Sequence, residues 1–185
     1  DEQLAESGSV ILKRRRAFIV ELEEMFQVYY NRVALGREKV MLEYRTTVKN
    51  DDFLTSLHNS FERDRVLTYT TVGVHRDDLD LSLEGYPVKK LGSQGQKKSF
   101  LTALKFAQFA YLAEQKGVKP LLLLDDIFDK LDADRVSQII QIVSDTSFGQ
   151  VFVTDTNREH IDEILKQHAL EYKIFHVEGG EVEEF

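Results

Sequence analysis

The sequence predicts an α/β protein, and three observations carry that prediction. Leu121 to Leu124 are four consecutive leucines, bounded by Pro120 and by Asp125-Asp126, a run too short for a globular helix. Val151-Phe152-Val153 is a second short apolar run, and between the two lie Val136, Ile139, Ile140 and Val143 at helical spacing. Helix, apolar strand, helix, apolar strand, helix is the order of a parallel sheet whose strands are buried on both faces. The composition agrees: 185 residues, 42% hydrophobic and 30% charged, describe a folded chain long enough to bury a sizeable core.

The elements follow in order. From Leu4 to Leu35 there is no proline, and Leu4, Ile11, Phe18, Leu22, Met25 and Tyr29 form one apolar stripe of a long helix that Gly36 can stop. Val40, Leu42, Tyr44, Thr46 and Val48 alternate with polar residues, a half-buried strand. Asp51 or Asp52 can cap a short helix carrying Phe53, Leu54, Leu57 and Phe61, which the cluster Glu62-Arg63-Asp64-Arg65 should end. Tyr69, Thr71, Val72 and Val74 suggest a strand. Leu79, Leu81 and Leu83 suggest another, joined by the turn Glu84–Pro87 to a short return over Val88–Leu91. Gly95 to Gly117 reads as a helix with Phe100, Leu101, Leu104, Phe106, Ala107 and Ala110 inward. After the two apolar strands and the helix between them, Asn157 can cap a helix with Ile161, Ile164 and Leu165 inward, and a hairpin closes the chain around Glu178-Gly179-Gly180.

Composition also excludes classes of function. Without cysteine there is no disulfide, no thiolate metal site and no thiol nucleophile, which is compatible with a reducing compartment. No apolar run approaches the roughly 20 residues of a membrane span. Asp1-Glu2-Gln3 is not a signal peptide, and the absent initiator Met suggests a piece of something longer. The net charge of −8 is uneven: residues 1–100 are balanced and residues 101–185 carry all of the excess. The compact basic cluster Lys13, Arg14, Arg15 and Arg16 is a weak DNA-binding candidate, against the simpler reading of a solvated helix face.

Two places carry chemistry. Asp125-Asp126 end an apolar strand, where ligands of open α/β sheets sit. One carboxylate there can hold a Mg²⁺ that bridges phosphates, and a second can orient or deprotonate water; alternatively either aspartate caps the next turn. Upstream, Gly92-Ser93-Gln94-Gly95-Gln96 precedes a helix, so backbone N–H groups, the helix N-terminus and the Ser93 hydroxyl can face an anion. The simpler reading is a capped helix with a glycine-rich entry. Both lie within 32 positions of each other and are followed by Phe128-Asp129-Lys130-Leu131-Asp132.

In that order these pieces resemble the ABC-type ATPases. Ser93-Gln94-Gly95-Gln96 is similar to the signature loop, Leu122-Leu123-Leu124-Asp125-Asp126 to Walker B and Asp129-Lys130-Leu131-Asp132 to the D-loop. Gly73-Val74-His75-Arg76-Asp77-Asp78-Leu79 resembles the Gly-Pro-His-Arg-Asp-Asp stretch of the RecF family, of the SMC-like branch, with Val74 in place of proline. The resemblance implies the C-terminal lobe of an ABC-type P-loop ATPase over residues 67–185, with a helical α+β arm domain over residues 1–66. No GxxxxGK[ST] string occurs, so it implies the C-terminal part of such a protein, with ATP hydrolysis expected only together with the Walker A half and none from this chain alone. The implied cofactors are ATP and Mg²⁺. Asp125 would hold the metal and Asp126 would be catalytic. Ser93, Gly95 and Gln96 would bind ATP held mainly by the other protomer of a dimer, and Asp132 would lie at that interface. Asp155 stands where many ABC ATPases place a switch histidine. Implied partners are double-stranded or gapped DNA, the RecR mediator and a second copy in an ATP-dependent homodimer, in the cytoplasm and away from membranes. Two alternatives stay open: a non-catalytic scaffold in which Asp125 and Asp126 are structural, and another SMC-like ATPase head. His75 and Arg76 have no assigned role; the simple expectation pairs Arg76 with Asp77 or Asp78.

Overall fold

The striped N-terminal segment is helical from Glu2 to Val33 (α1) in a computed structural model that describes residues 1–36, 38–128, 131–145, 147–156 and 171–184. Its buried residues are Ala5, Gly8 and Leu12 near the start and Leu22, Phe26, Tyr30 and Val33 farther on. The upper stripe is therefore displaced from the expected one, leaving Leu4 58% and Ile11 38% exposed. The reason is close approach: the Phe53 ring lies on Gly8, where an added Cβ would come within 2.5 Å of its Cε2 atom. Small residues mark this seam, and bulk alone points to the wrong side.

Strand β1 (Val40–Arg45) pairs antiparallel with β2 (Asp78–Leu83), Val40 opposite Leu83 and Arg45 opposite Asp78. Between them α2 (Phe53–Leu67) is capped by Asp52, which accepts from the Thr55 N–H. The helix runs through the charged cluster expected to end it and stops at Thr68, in the left-handed region at φ 62°. Asp64 lies in that cluster and accepts from the N–H (3.0 Å) and hydroxyl (2.5 Å) of Thr71. That contact also explains why residues 69–74 do not form the expected strand. Thr71 N–H goes to Asp64, Gly73 N–H to the Thr47 hydroxyl and Arg76 N–H back to the Gly73 carbonyl, closing a 3₁₀ turn over Val74–Arg76. Backbone donors occupied by side chains and a tight turn leave no ladder to build.

The hairpin after β2 is tighter than expected. Glu84 and Gly85 form its two-residue turn at φ 50° and 79°, and the return strand β3 is Tyr86–Pro87. Pro87 has no N–H to extend the ladder. Val88–Leu91, expected as the return strand, is a single helical turn instead (α3). Helix α4 (Gln94–Lys116) ends at Gly117, φ 66°, and packs against α1. Phe26 meets Phe100 edge-on at 4.7 Å and Phe18 meets Tyr111 at 4.9 Å. Such pairs contribute about 0.5–1.5 kcal/mol beyond their burial. Leu101, expected inward, is 56% exposed, and Phe109 is buried instead. A second cluster, Ala5, Leu12, Val48, Phe53 and Leu57, joins α1 to α2.

The chain forms two compact units, residues 1–118 and 119–185. The boundary expected at 66/67 falls inside the first, between strands β1 and β2 that pair with each other. In the second unit β4 (Leu122–Asp125) and β5 (Val151–Thr154) are parallel, in the register Leu122–Val151 to Asp125–Thr154. Helix α5 (Ala133–Val143) joins them in sequence and buries Val136, Ile139, Ile140 and Ile142. The leucine run is not buried on both faces within this unit: Leu122 and Leu124 are buried, whereas Leu121 is 63% and Leu123 64% exposed. The pair β6 (Phe175–Glu178) and β7 (Glu181–Glu184) is the expected terminal hairpin. The helix expected from Asn157, with Ile161, Ile164 and Leu165, lies outside the described residues, as do Asp129 and Lys130. Among the described residues no helix is long and apolar enough to cross a membrane.

Candidate functional site

The Ser93–Gln96 loop is a capping box at the start of α4. Ser93 N–H donates to Gln96 Oε1 (2.8 Å), and Gln96 N–H donates to Ser93 Oγ (3.1 Å). Gln96 is held a second time, its Nε2 donating to Glu38 Oε1, while the buried Tyr30 hydroxyl donates to Glu38 Oε2 at 2.5 Å. A chain of hydrogen bonds thus runs from α1 through Glu38 to the loop. Gly92 is required sterically, because a Cβ there would lie 2.8 Å from the Val88 carbonyl oxygen. Ser93 is exposed, Gly95 is half-buried in the first helical turn, and Lys97 and Lys98 follow at once. An exposed helix N-terminus with a hydroxyl at its cap suits an anion such as a phosphate. Gln96 differs from the other two candidates, since its amide oxygen already accepts from Ser93 N–H and its amide nitrogen donates to Glu38.

The acidic site stands at the C-terminal end of β4. Asp125 lies opposite Thr154 of β5, whose hydroxyl donates to Asp125 Oδ1. Asp126 adopts φ 47°, the left-handed region, which costs an L-residue about 1–2 kcal/mol. Its N–H is shared between the Thr154 carbonyl (3.2 Å) and hydroxyl (3.1 Å). Thr154 therefore orients both aspartates, and both are exposed. Among the described residues no group of three His, Cys, Asp or Glu could by itself hold a metal ion. Asp125 and Asp126 supply carboxylate oxygens of the kind Mg²⁺ takes, in the usual case where phosphates and water complete the ligand shell. Asp132 caps α5, accepting from the Arg135 N–H at 2.9 Å. The Ser93–Gln96 loop lies in the first unit, and Asp125, Asp126 and Asp132 lie in the second.

The basic cluster on α1 divides. Arg15 pairs with Asp77 (3.3 Å) and donates to the Val74 carbonyl (2.6 Å), and Arg16 pairs with Asp51 (2.5 Å). Both tie α1 to the rest of the first unit. Lys13 and Arg14 are exposed. Asp77 also receives the Tyr44 hydroxyl, and burial followed by that bond holds the Tyr44 phenol above its ordinary pKa. The expected Arg76 pairing is not formed: Asp77 goes to Arg15 and Asp78 to Arg45. In the sequence Tyr30 reads only as part of the apolar stripe of α1, and Thr154 and Glu38 carry no motif. Thr154 could have been found by aligning the two apolar strands, whereas nothing local in the sequence marks Glu38.

No protein-family model matches the chain. Individual proteins do. The DNA replication and repair protein RecF of Phocaeicola vulgatus is 49% identical over 185 residues, covering all of this chain and 50% of that protein. The chain matches the C-terminal half of RecF. RecF of Flavobacterium johnsoniae is 45% identical over 177 residues, covering 96% of this chain and 49% of that protein. The chain thus spans about half the length of the curated RecF relatives it matches. Two solved structures of the recombination mediator RecF in the RecFOR pathway, one with ATP and one with ATPrS, superpose on the whole chain. They give TM-scores of 0.77 and 0.76 at 26% and 27% identity, over 48% and 49% of their own chains. An SMC ATPase structure, from work on ATP-driven dimerization and DNA-stimulated activation, shares the fold at TM-score 0.52 and 15% identity, covering 96% of this chain and 88% of that one. The fold is mixed helix and sheet, as expected, and it resembles the ATPase lobe of RecF and the SMC ATPase heads.

Proposed function

We propose that this chain supplies the signature loop, the Walker B strand and the arm of a RecF-type ATPase that acts on DNA in replication and recombinational repair. The observation that supports it most is the pair of ligand-facing features, the exposed Ser93 cap and the Asp125-Asp126 strand end, in a chain matching RecF along its whole length. In this reading ATP binding closes a dimer on double-stranded or gapped DNA and hydrolysis releases it. Ser93 and Gly95 meet the γ-phosphate of ATP held mainly by the other protomer, and Asp132 lies near that interface. Mg²⁺ neutralises phosphate charge when bound, and Asp125 helps hold it. Asp126 takes a proton from the attacking water as the bond between the γ-phosphorus and the ADP oxygen breaks. The Gln96 amide shapes the loop, and Lys13 and Arg14 are the members of the basic cluster suited to DNA phosphates. RecR is the protein partner and the cytoplasm the compartment.

The exposed row Leu121, Leu123 and Phe152 supports the same reading, because a strand pair of this kind needs cover that a longer RecF-length chain can provide. The deciding experiment is magnesium-dependent phosphate release by the full-length protein. Asp126→Asn is expected to lower turnover about 10²–10⁴-fold, the usual contribution of a positioned acid–base group. Unchanged turnover would remove Asp126 from catalysis. Turnover at or below the blank in the unaltered protein would favour the scaffold reading.

A further inference from the structure

The stretch Gly73–Asp78 takes no part in the chemistry proposed above, yet almost every residue in it is fixed. Gly73, at φ 143°, is bonded to Thr47, and His75 Nε2 pairs with the Thr70 carbonyl at 2.9 Å. Asp77, whose side chain is 2% exposed, is held by Arg15 and Tyr44. Asp78 is held by Arg45 at 3.0 Å and by the Leu79 N–H. Arg76 is the exception. It is exposed and forms no ion pair among the described residues, although two carboxylates follow it directly in sequence. Both of those carboxylates are neutralised by other arginines. The Arg76 guanidinium instead lies 5.0 Å from the centroid of the Tyr69 ring, itself 51% exposed.

A rigid turn therefore presents an arginine on an aromatic face, in a chain with eight more acidic than basic residues. That combination suits a nucleic-acid backbone. The planar guanidinium fits a phosphate with two parallel hydrogen bonds, the ring beneath it limits its rotamers, and the ring's exposed part offers a surface to a sugar or base. We propose that Arg76 and Tyr69 form a DNA-backbone contact, separate from the basic cluster of α1. The inference rests on the reading that the intact protein binds DNA.

The test is duplex-DNA binding by the full-length protein with ATP present, followed by fluorescence anisotropy over a range of salt concentrations. Losing one phosphate contact should reduce the slope of log K against log[salt] by about 1. Arg76→Gln is expected to do this and to weaken binding several-fold. Arg76→Lys should keep the slope and lose part of the affinity, and Tyr69→Leu should weaken binding with the slope retained. Lys105→Gln, an equal loss of charge on the exposed side of α4, should leave the slope unchanged. Thermal midpoints of all four should match the parent. The inference is overturned by an unchanged slope in Arg76→Gln or by an equal effect of Lys105→Gln. It is also overturned if the loss appears in ATP-dependent self-association with DNA binding intact, which would mark a carboxylate of a second copy as the partner. If the parent protein itself binds no DNA, the proposed function fails first and this contact with it.

Discussion

The signature-like loop and the acidic strand end are both exposed, but they are held in different ways. Ser93–Gln96 is fixed by a reciprocal cap, by Glu38 and by the fully buried Tyr30, so its shape is a property of the first unit's core. At Asp125-Asp126 the Thr154 hydroxyl and carbonyl hold the Asp125 carboxylate and the Asp126 N–H, and the backbone takes an angle that aspartate tolerates with some cost. The loop takes its shape from the packed interior, whereas the acidic end takes its shape from exposed groups on neighbouring strands.

Three experiments would break or sharpen this contrast. The largest effect belongs to Ser93→Arg in the full-length protein. A bulky cation at the cap position should abolish ATP-dependent dimerisation in analytical ultracentrifugation, while the lost cap costs only about 0.5–2 kcal/mol of stability. Dimerisation at parental strength would separate Ser93 from the nucleotide. Next, Glu38→Ala should strip an acceptor from both Gln96 and the buried Tyr30. A loss of about 1–3 kcal/mol in denaturant unfolding is expected, against less than about 1 kcal/mol for Thr154→Val at the exposed acidic end. Equal effects would erase the distinction between a core-supported loop and a lightly supported one.

The smallest effect is on pH dependence. Hydrogen bonds from Thr71 to Asp64, from Thr55 to Asp52 and from the Leu79 N–H to Asp78 hold these carboxyls below their ordinary value of 3.8. Their contribution is present above that value and is lost as pH falls through the lower folded-state values. The parent chain should lose stability on acidification below about pH 4. Asp64→Asn should make that loss shallower, and an unchanged acid profile would show that the Thr71 contact does not stabilise the fold.

Sequence patterns revealed the long helices, the parallel pair β4–β5 and both candidate sites, because caps, glycine stops and short apolar runs are local signals. They misjudged residues 69–74 and 88–91, where side chains and Pro87 compete for ladder positions. The buried side of α1 depended on Phe53, a partner 45 positions from Gly8 in sequence. The motif residues at the sites were legible one by one. Their supports act across the fold: Thr154 becomes visible only when the two apolar strands are aligned, and nothing local marks Glu38.

The four-residue register of β4 against β5 has a consequence for folding as well. Thr154 meets Asp125 only in this alignment, and in strands a slip by one residue exchanges the two faces. A chain that paired its strands wrongly would retain much of its secondary structure but misplace the hydroxyl that orients both aspartates. If, as proposed, a ligand binds at the acidic end, its binding would act as a proofreader, drawing molecules toward the correctly zipped state by mass action.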